Sequence, residues 1–172
     1  ILLMIGALSG IWMISGVVPT MIYYGLQIIH PAFFLLTTCV LCAVVSLMTG
    51  SSWTTVATIG VALIGIGQAQ GFHEGWVAGA IISGAYFGDK MSPLSDTTVL
   101  ASSTVGVRLF THIRYLVYTT IPALFCALVV YLIAGFTLPA GDATSIQSYA
   151  AALDAKFDIT PWALIVPLLT AV

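Results

Sequence analysis

Charge is scarce in this sequence: four Lys or Arg and six Asp or Glu among 172 residues, or 6%. Soluble domains carry roughly a quarter. So little charge excludes an ordinary solvated globule, and with no basic patch it gives no support to nucleic-acid binding. Alternating polar and apolar residues, the mark of outer-membrane strands, are also missing, which argues against a barrel. Only three cysteines are present, all in apolar runs. Cys39 and Cys42 form a CxxC with no His or Cys cluster beside it, so they read as small buried hydrophobes rather than as a metal or redox site. Residues 1–14 have neither a positive flank nor a small-residue cleavage site, and a signal peptide is not expected.

What is abundant is apolar: 60% hydrophobic residues and a mean hydropathy of +1.12. In lipid every backbone polar group must be satisfied within the chain, so such runs form helices. The fold class is all-α, a polytopic transmembrane helix bundle formed as one domain over residues 1–172. Residues 1–29 are a first apolar segment interrupted at Ser15-Gly16-Val17-Val18-Pro19-Thr20, where a kink or break is expected at Gly16 and Pro19. Its role is open between an ordinary kinked scaffold helix and a segment lining a site.

Residues 31–69 are too long for one span and must fold back near Thr49-Gly50-Ser51-Ser52-Trp53-Thr54-Thr55. Either two spans meet in an interfacial turn, or a re-entrant hairpin carries this hydroxyl-rich tip to mid-membrane. The second arm, Val56 to Gly67, is short and contains three glycines, which favours the re-entrant hairpin. Gln68 to Glu74 is a polar connection, its His73 and Glu74 read as solvent-exposed, with Trp76 placed at the interface. Residues 105–114 hold Arg108 and Arg114, which point this loop to the cytoplasm. A span over 113–138, which tolerates Pro122, an acidic outer loop over 139–160 with a short surface helix at 148–157, and the start of another span at 161–172 complete the chain. The apolar run that holds Val172 is cut short and the chain opens on Ile1, so a fragment truncated at both ends is expected.

One stretch between two apolar runs, Gly84 to Thr98, holds three of the ten charged residues, Asp89, Lys90 and Asp96. The run before it is too short to cross a core of about 30 Å alone. Ionisable residues at membrane depth mark ion or substrate paths. The local residues predict a helix over 75–104 that stops and restarts. Gly88 ends the first half as a C-terminal cap, and Ser92 caps a second half that has Pro93 at its first position and Asp96 in its first turn. Gly75, Gly79, Gly84 and Gly88 give the first half a small-residue face for close packing. Tyr86 and Phe87 read equally as a wall of the site or as ordinary packing. Broken helices of this kind build the binding sites of secondary transporters.

The run Gly88-Asp89-Lys90-Met91-Ser92-Pro93-Leu94-Ser95-Asp96-Thr97-Thr98 resembles the NhaC-type sodium/proton antiporter family, which includes malate/lactate antiporters. The stretches at 49–55 and 15–20 look like further motifs of it. The resemblance covers most of residues 5–138. It implies a multi-pass protein of the bacterial inner membrane with inverted repeats, each pairing a re-entrant hairpin with a broken helix, of which this chain is the C-terminal half. The lipid bilayer, the N-terminal half and a second copy in a homodimer are the expected partners. Sodium and protons are the expected cargo, with no resident cofactor.

A hard cation takes oxygen ligands. Asp89 and Asp96 are the expected sodium ligands, supported by Ser92, Ser95, Thr97, Thr98 and, from the hairpin tip, Ser51, Ser52, Thr54 and Thr55. Together with Lys90 the two aspartates leave one net negative charge, suited to one cation or to a proton in its place. A carboxylate exchanger is the near alternative, with Lys90 and helix N-termini facing the substrate. More distant are a channel and an intramembrane protease. The aspartyl type of protease needs glycine where Tyr86 stands, and a dyad of Ser92 and Lys90 has no oxyanion motif beside it. No enzyme activity is expected.

Overall fold

Backbone geometry at two glycines sets where the chain turns. The computed structural model describes residues 2–138, 151–157 and 159–166. Helix α1 (Leu2–Ile14) gives way to α2 (Val17–Ile28) at Gly16, whose φ of 84° lies in the left-handed region that favours glycine. The two pieces are bent by 71°. Pro19 is not at the bend. It is the third residue of α2, in the first turn, where a missing N–H costs no helix bond.

After a short 3-10 turn at Pro31–Phe33, helix α3 (Phe34–Thr49) ends at Gly50, also left-handed with φ 68°. The return arm begins as α4 (Ser52–Thr55), passes through a π-helical turn at Val56–Gly60 and continues as α5 (Val61–Ala69). This arm is longer than the expected 56–67. Ser52–Ala69 is one apolar stretch of 18 residues, and Pro31–Thr49 has 19, so each arm is long enough to cross a bilayer. A loop leads to α6 (Glu74–Met91), then a break at 92–95, then α7 (Asp96–Val105) and the long α8 (Leu109–Thr137). The span expected at 113–138 therefore starts four residues earlier, because Leu109 to His112 are helical. The connecting loop shrinks to 106–108. Residues 151–156 are helical and Pro161–Leu164 form a 3-10 turn. The expected outer loop falls mostly outside the described residues, as do residues 167–172 of the expected last span.

The core is organised by α3 against α6. Phe34, Leu35, Cys39 and Cys42 line the inner face of α3 and are fully buried. A Cβ on Gly84 would fall on the carbonyl of Cys39, and one on Gly88 would fall on the carbonyl of Ala43 and within 2.6 Å of the Leu47 nitrogen. The two backbones touch through glycine, the contact that small residues four apart permit. This corrects two expectations. Gly88 does not end the helix but packs inside it, and the four glycines do not share one face, since Gly79 lies toward Tyr131 of α8. In α2 and α5 the fit is reciprocal, with Ile66 over Gly25 and Ile22 over Gly65.

Helix α8 packs beside α6 in the opposite direction: Ser83 and Tyr131 share a 2.8 Å hydrogen bond, whereas Lys90 lies level with Thr120 to Leu124. At 29 residues α8 is about 43 Å long. The end of α6 is thus halfway along it. Tyr118, Phe125, Ile133 and Phe136 on α8 are exposed, as lipid-facing or partner-facing side chains would be. With the bent pair α1–α2 counted as one, up to four segments among the described residues are long and apolar enough to span a membrane.

Candidate ion site at the helix break

Four half-helix ends meet where the hairpin tip touches the break. At the tip, α3 ends and α4 begins; at the break, α6 ends and α7 begins. Gly50 lies directly on Leu94: a Cβ there would come within 2.7 to 2.9 Å of the Leu94 backbone and Cβ. Such an approach needs glycine for space as well as for φ.

Asp89 ties the two loops together. Ser52 at the tip donates to its Oδ2 at 2.8 Å, and Ser95 at the break donates to its Oδ1 at 2.6 Å. Ser95 Oγ also lies 2.8 Å from Thr97 Oγ1. Since Ser95 has one proton and gives it to the carboxylate, Thr97 must be the donor in that pair. Each bond to the ionised carboxylate is charge-assisted and worth more than a neutral one. Ser52 opens α4 and Ser95 stands just before the first residue of α7, so the positive ends of two helices also face Asp89. Thr98 donates to the carbonyls of Asp89 and Lys90 at 3.4 and 3.3 Å, covering the bare C-terminal end of α6.

The second half-helix starts at Asp96, with Ser95 at the N-cap position but its hydroxyl given to Asp89, and not at Pro93 capped by Ser92. Ser92 Oγ instead accepts from the Leu94 N–H at 3.2 Å, closing a local turn that holds Pro93 inside the break. Both serines are fully buried. At the tip, Ser51 caps α4 by accepting from the Thr54 N–H, and it also accepts from Thr54 Oγ1 at 3.0 Å. Thr55 is buried and donates to the Ser51 carbonyl at 2.9 Å. Ser51, Thr54 and Thr55 therefore shape the tip, and Ser52 alone of the four reaches Asp89.

The three charges do not converge. Asp89 is half-buried in the hydroxyl cluster, while Lys90 and Asp96 are exposed and make no ion pair among the described residues. Successive helix residues point about 100° apart, so Lys90 faces α8 rather than the hairpin. Asp96 sits in the first turn of α7 and makes no side-chain hydrogen bond there. No group of three His, Cys, Asp or Glu that could hold a metal is found among the described residues.

Some buried polar groups went unread in the sequence. Ser46 donates to the Ala85 carbonyl at 2.6 Å, pinning α3 to α6 one turn before the site. It stands on the same helical row as Phe34, Thr38 and Cys42, a polar residue on a buried stripe, and that pattern is its signal. Thr20 and Thr38 hydroxyls are buried without partners among the described residues.

Comparison with known proteins follows the same lines. Residues 84–172, just over half of the chain, match the family model described as "Na+/H+ antiporter family". The whole chain is 46% identical to the Na+/H+ antiporter NhaC of Alkalihalophilus pseudofirmus and 47% identical, over 174 aligned positions, to the malate-2H+/Na+-lactate antiporter of Bacillus subtilis. Over 98% of its length it is 47% identical to the NhaC of Bacillus subtilis. It spans only 37–38% of the length of these relatives. No solved structure matches. The apolar helices make this a multi-pass membrane protein, and the model match over the broken helix and all that follows it shows that the chain belongs to the Na+/H+ antiporter family.

Proposed function

We propose that this chain is part of a secondary antiporter that exchanges Na+ for H+ across the bacterial cytoplasmic membrane by alternating access, with Asp89 as the group that holds either the cation or the proton. One observation carries the reading: a single carboxylate bridges the hairpin tip and the helix break where four half-helix ends meet. Sodium needs several oxygens at close range, and here Asp89, Ser52, Ser95 and Thr97 supply them without a resident cofactor. The hydroxyls can rotate. With Asp89 ionised they donate to it or turn lone pairs to a cation, and with Asp89 protonated one of them accepts its proton. One set of oxygens then cannot serve sodium and proton together, which is the requirement for exchange.

The depth of the site fits this role. The break lies halfway along α8, and helix ends with unpaired backbone groups are tolerated at membrane depth only where protein or water covers them. On this reading the hairpin is re-entrant. The relatives are more than twice as long as this chain, and an opposing set of helices, absent from residues 1–172, would supply the other wall of the site. No enzymatic step is assigned. Carboxylate exchange is a second reading, favoured by Lys90, which has no ion pair among the described residues, and by the relative named as a malate and lactate antiporter.

The test is counterflow in proteoliposomes of the full-length protein that carries this segment, with sodium and malate offered as competing cargo. Sodium-driven proton movement that disappears in Asp89→Asn is the expected result. Proton movement that ignores sodium would refute the reading.

A further inference from the structure

The amino end of α8 carries charge that the antiport site does not use. Arg108 and Arg114 are two of the four Lys and Arg residues of the chain, and no Asp or Glu stands between Asp96 and Asp142. Both arginines are exposed, and neither makes an ion pair among the described residues. Orienting a span asks only for positive charge near its end. Here the charge also lines a cavity of about 610 Å³, together with Phe110, Thr111, Tyr115 and Tyr118 beside Arg114. Their spacing of three and four residues sets them on one face of the helix. The Thr111 hydroxyl makes no hydrogen bond to the described residues. Below Tyr118 the same face continues, exposed, to Phe125. From Arg114 to Phe125 the helix rises about 16 Å, close to half of a hydrocarbon core of about 30 Å and so to one leaflet. A cation and a hydroxyl, then tyrosines, then an apolar track follow the order of parts in a phospholipid.

We propose that this face is a docking site for one anionic phospholipid, with Arg114 and Thr111 on its phosphate and Tyr115, Tyr118 and Phe125 along its acyl chains. A guanidinium takes two phosphate oxygens in a fork, and Thr111 offers one more donor. Arg108, one turn before Thr111, and the positive end of the α8 dipole add attraction from a distance. The volume is that of about twenty waters at about 30 Å³ each, room for a phosphate with its glycerol. A zwitterionic headgroup would bring an ammonium of its own to the two arginines, so the net charge of the lipid decides the choice. The site lies outside the Asp89 cluster and is independent of the cargo held there.

The experiment is native mass spectrometry of the full-length protein in a neutral detergent, titrated with dioctanoyl phosphatidylglycerol, dioctanoyl phosphatidylcholine and glycerol phosphate. Phosphatidylglycerol should bind at least tenfold more tightly than phosphatidylcholine, and glycerol phosphate, which has the charge without the chains, at least tenfold more weakly than the anionic lipid. Arg114→Gln should lose tenfold or more in phosphatidylglycerol affinity, and Arg114→Lys should recover part of that loss. Thr111→Val should weaken binding severalfold. Lys156→Gln, which removes an exposed cation elsewhere, should stay within twofold of wild type. Equal affinity for the two lipids, or undiminished binding by Arg114→Gln, overturns the proposal. So does an equal loss in Lys156→Gln and Arg114→Gln, since bulk charge alone would then be at work. Glycerol phosphate binding as tightly as the lipid would make the occupant a soluble phosphate, and no binding by wild type would mean that other helices or a second copy cover this face. Either result overturns the proposal. Should Arg114→Gln fail to fold, the comparison of lipids on wild type and the Thr111→Val variant decide.

Discussion

Two of the helix breaks among the described residues, at Ser15-Gly16 and at residues 92–95, are made differently. The first is a sharp bend of 71°, and the nearest polar side chain within the helix that follows, Thr20, is buried without a partner among the described residues. The second is filled by hydroxyls. Ser92 closes the turn, Ser95 at the start of α7 reaches Asp89, Thr98 covers the end of α6, and the hairpin tip packs against it. A helix break alone frees backbone groups. Only at the second break do side-chain oxygens and a carboxylate converge on them, which is what the proposed cation site requires.

Removing the carboxylate should break the comparison most completely. Asp89→Asn keeps the shape but removes the charge that the proposed site offers to sodium and proton in turn, so sodium-driven proton flux in proteoliposomes should fall by at least about a hundredfold, the scale of losing a charge-assisted site of 3 kcal/mol or so. Flux within twofold of wild type would show that Asp89 holds neither ion.

The glycines of the two turns test the breaks against each other. Both are left-handed, so alanine costs about 1–2 kcal/mol in either place through backbone strain. Among the described residues a Cβ at Gly16 would meet Phe157 at 3.8 Å, whereas at Gly50 it meets the Leu94 backbone at 2.7 Å. Overpacking of that kind adds roughly 1–3 kcal/mol. Gly50→Ala should therefore lower the melting temperature in detergent more than Gly16→Ala, and it should also reduce flux. Equal shifts would mean that the tip does not rest on the break.

Ser52→Ala and Ser95→Ala each remove one hydrogen bond to a charged oxygen, worth roughly 1.5–3 kcal/mol. Each should weaken the sodium dependence of flux about tenfold or more. Because both bonds end on one carboxylate, the double variant should lose less than the sum of the two. Strict additivity would indicate that the two loops act on different groups.

Much of this was legible before the fold. Hydropathy and the absence of charge gave a helical membrane bundle, and Gly16 and Gly50 were readable as turns. The stretches at 49–55 and 88–98 could be singled out because polar side chains there interrupt apolar runs. Local rules failed at the second break, where Ser92-Pro93 is a better N-terminal signal than Ser95-Asp96. A tertiary bond decided it, since Ser95 at the cap can reach Asp89 while Ser92 closes a turn. Gly88 was misread for the same kind of reason: its missing Cβ makes room for the backbone of α3, which lies some forty residues away in sequence. That Ser52 meets Asp89, 37 residues apart, is likewise a fact of packing that no local pattern carries.

The smallest effect is expected at Asp96, although the sequence sets it beside Asp89 as an equal. Its carboxylate is exposed, bonded to no other described side chain, and separated from the hydroxyl cluster in which Ser95 and Thr97 point to Asp89. What remains for it is to complement the amino end of α7, a contribution that substitution changes by at most about fivefold in an equilibrium. Asp96→Asn should therefore leave the sodium dependence of exchange within about fivefold of wild type, while Asp89→Asn abolishes it. The measurement is proton flux against sodium concentration for both variants in the same vesicles. If Asp96→Asn is as damaging as Asp89→Asn, the full-length protein brings both carboxylates to the cation, and the contrast drawn between a filled break and a merely charged one would have to be redrawn around Asp96.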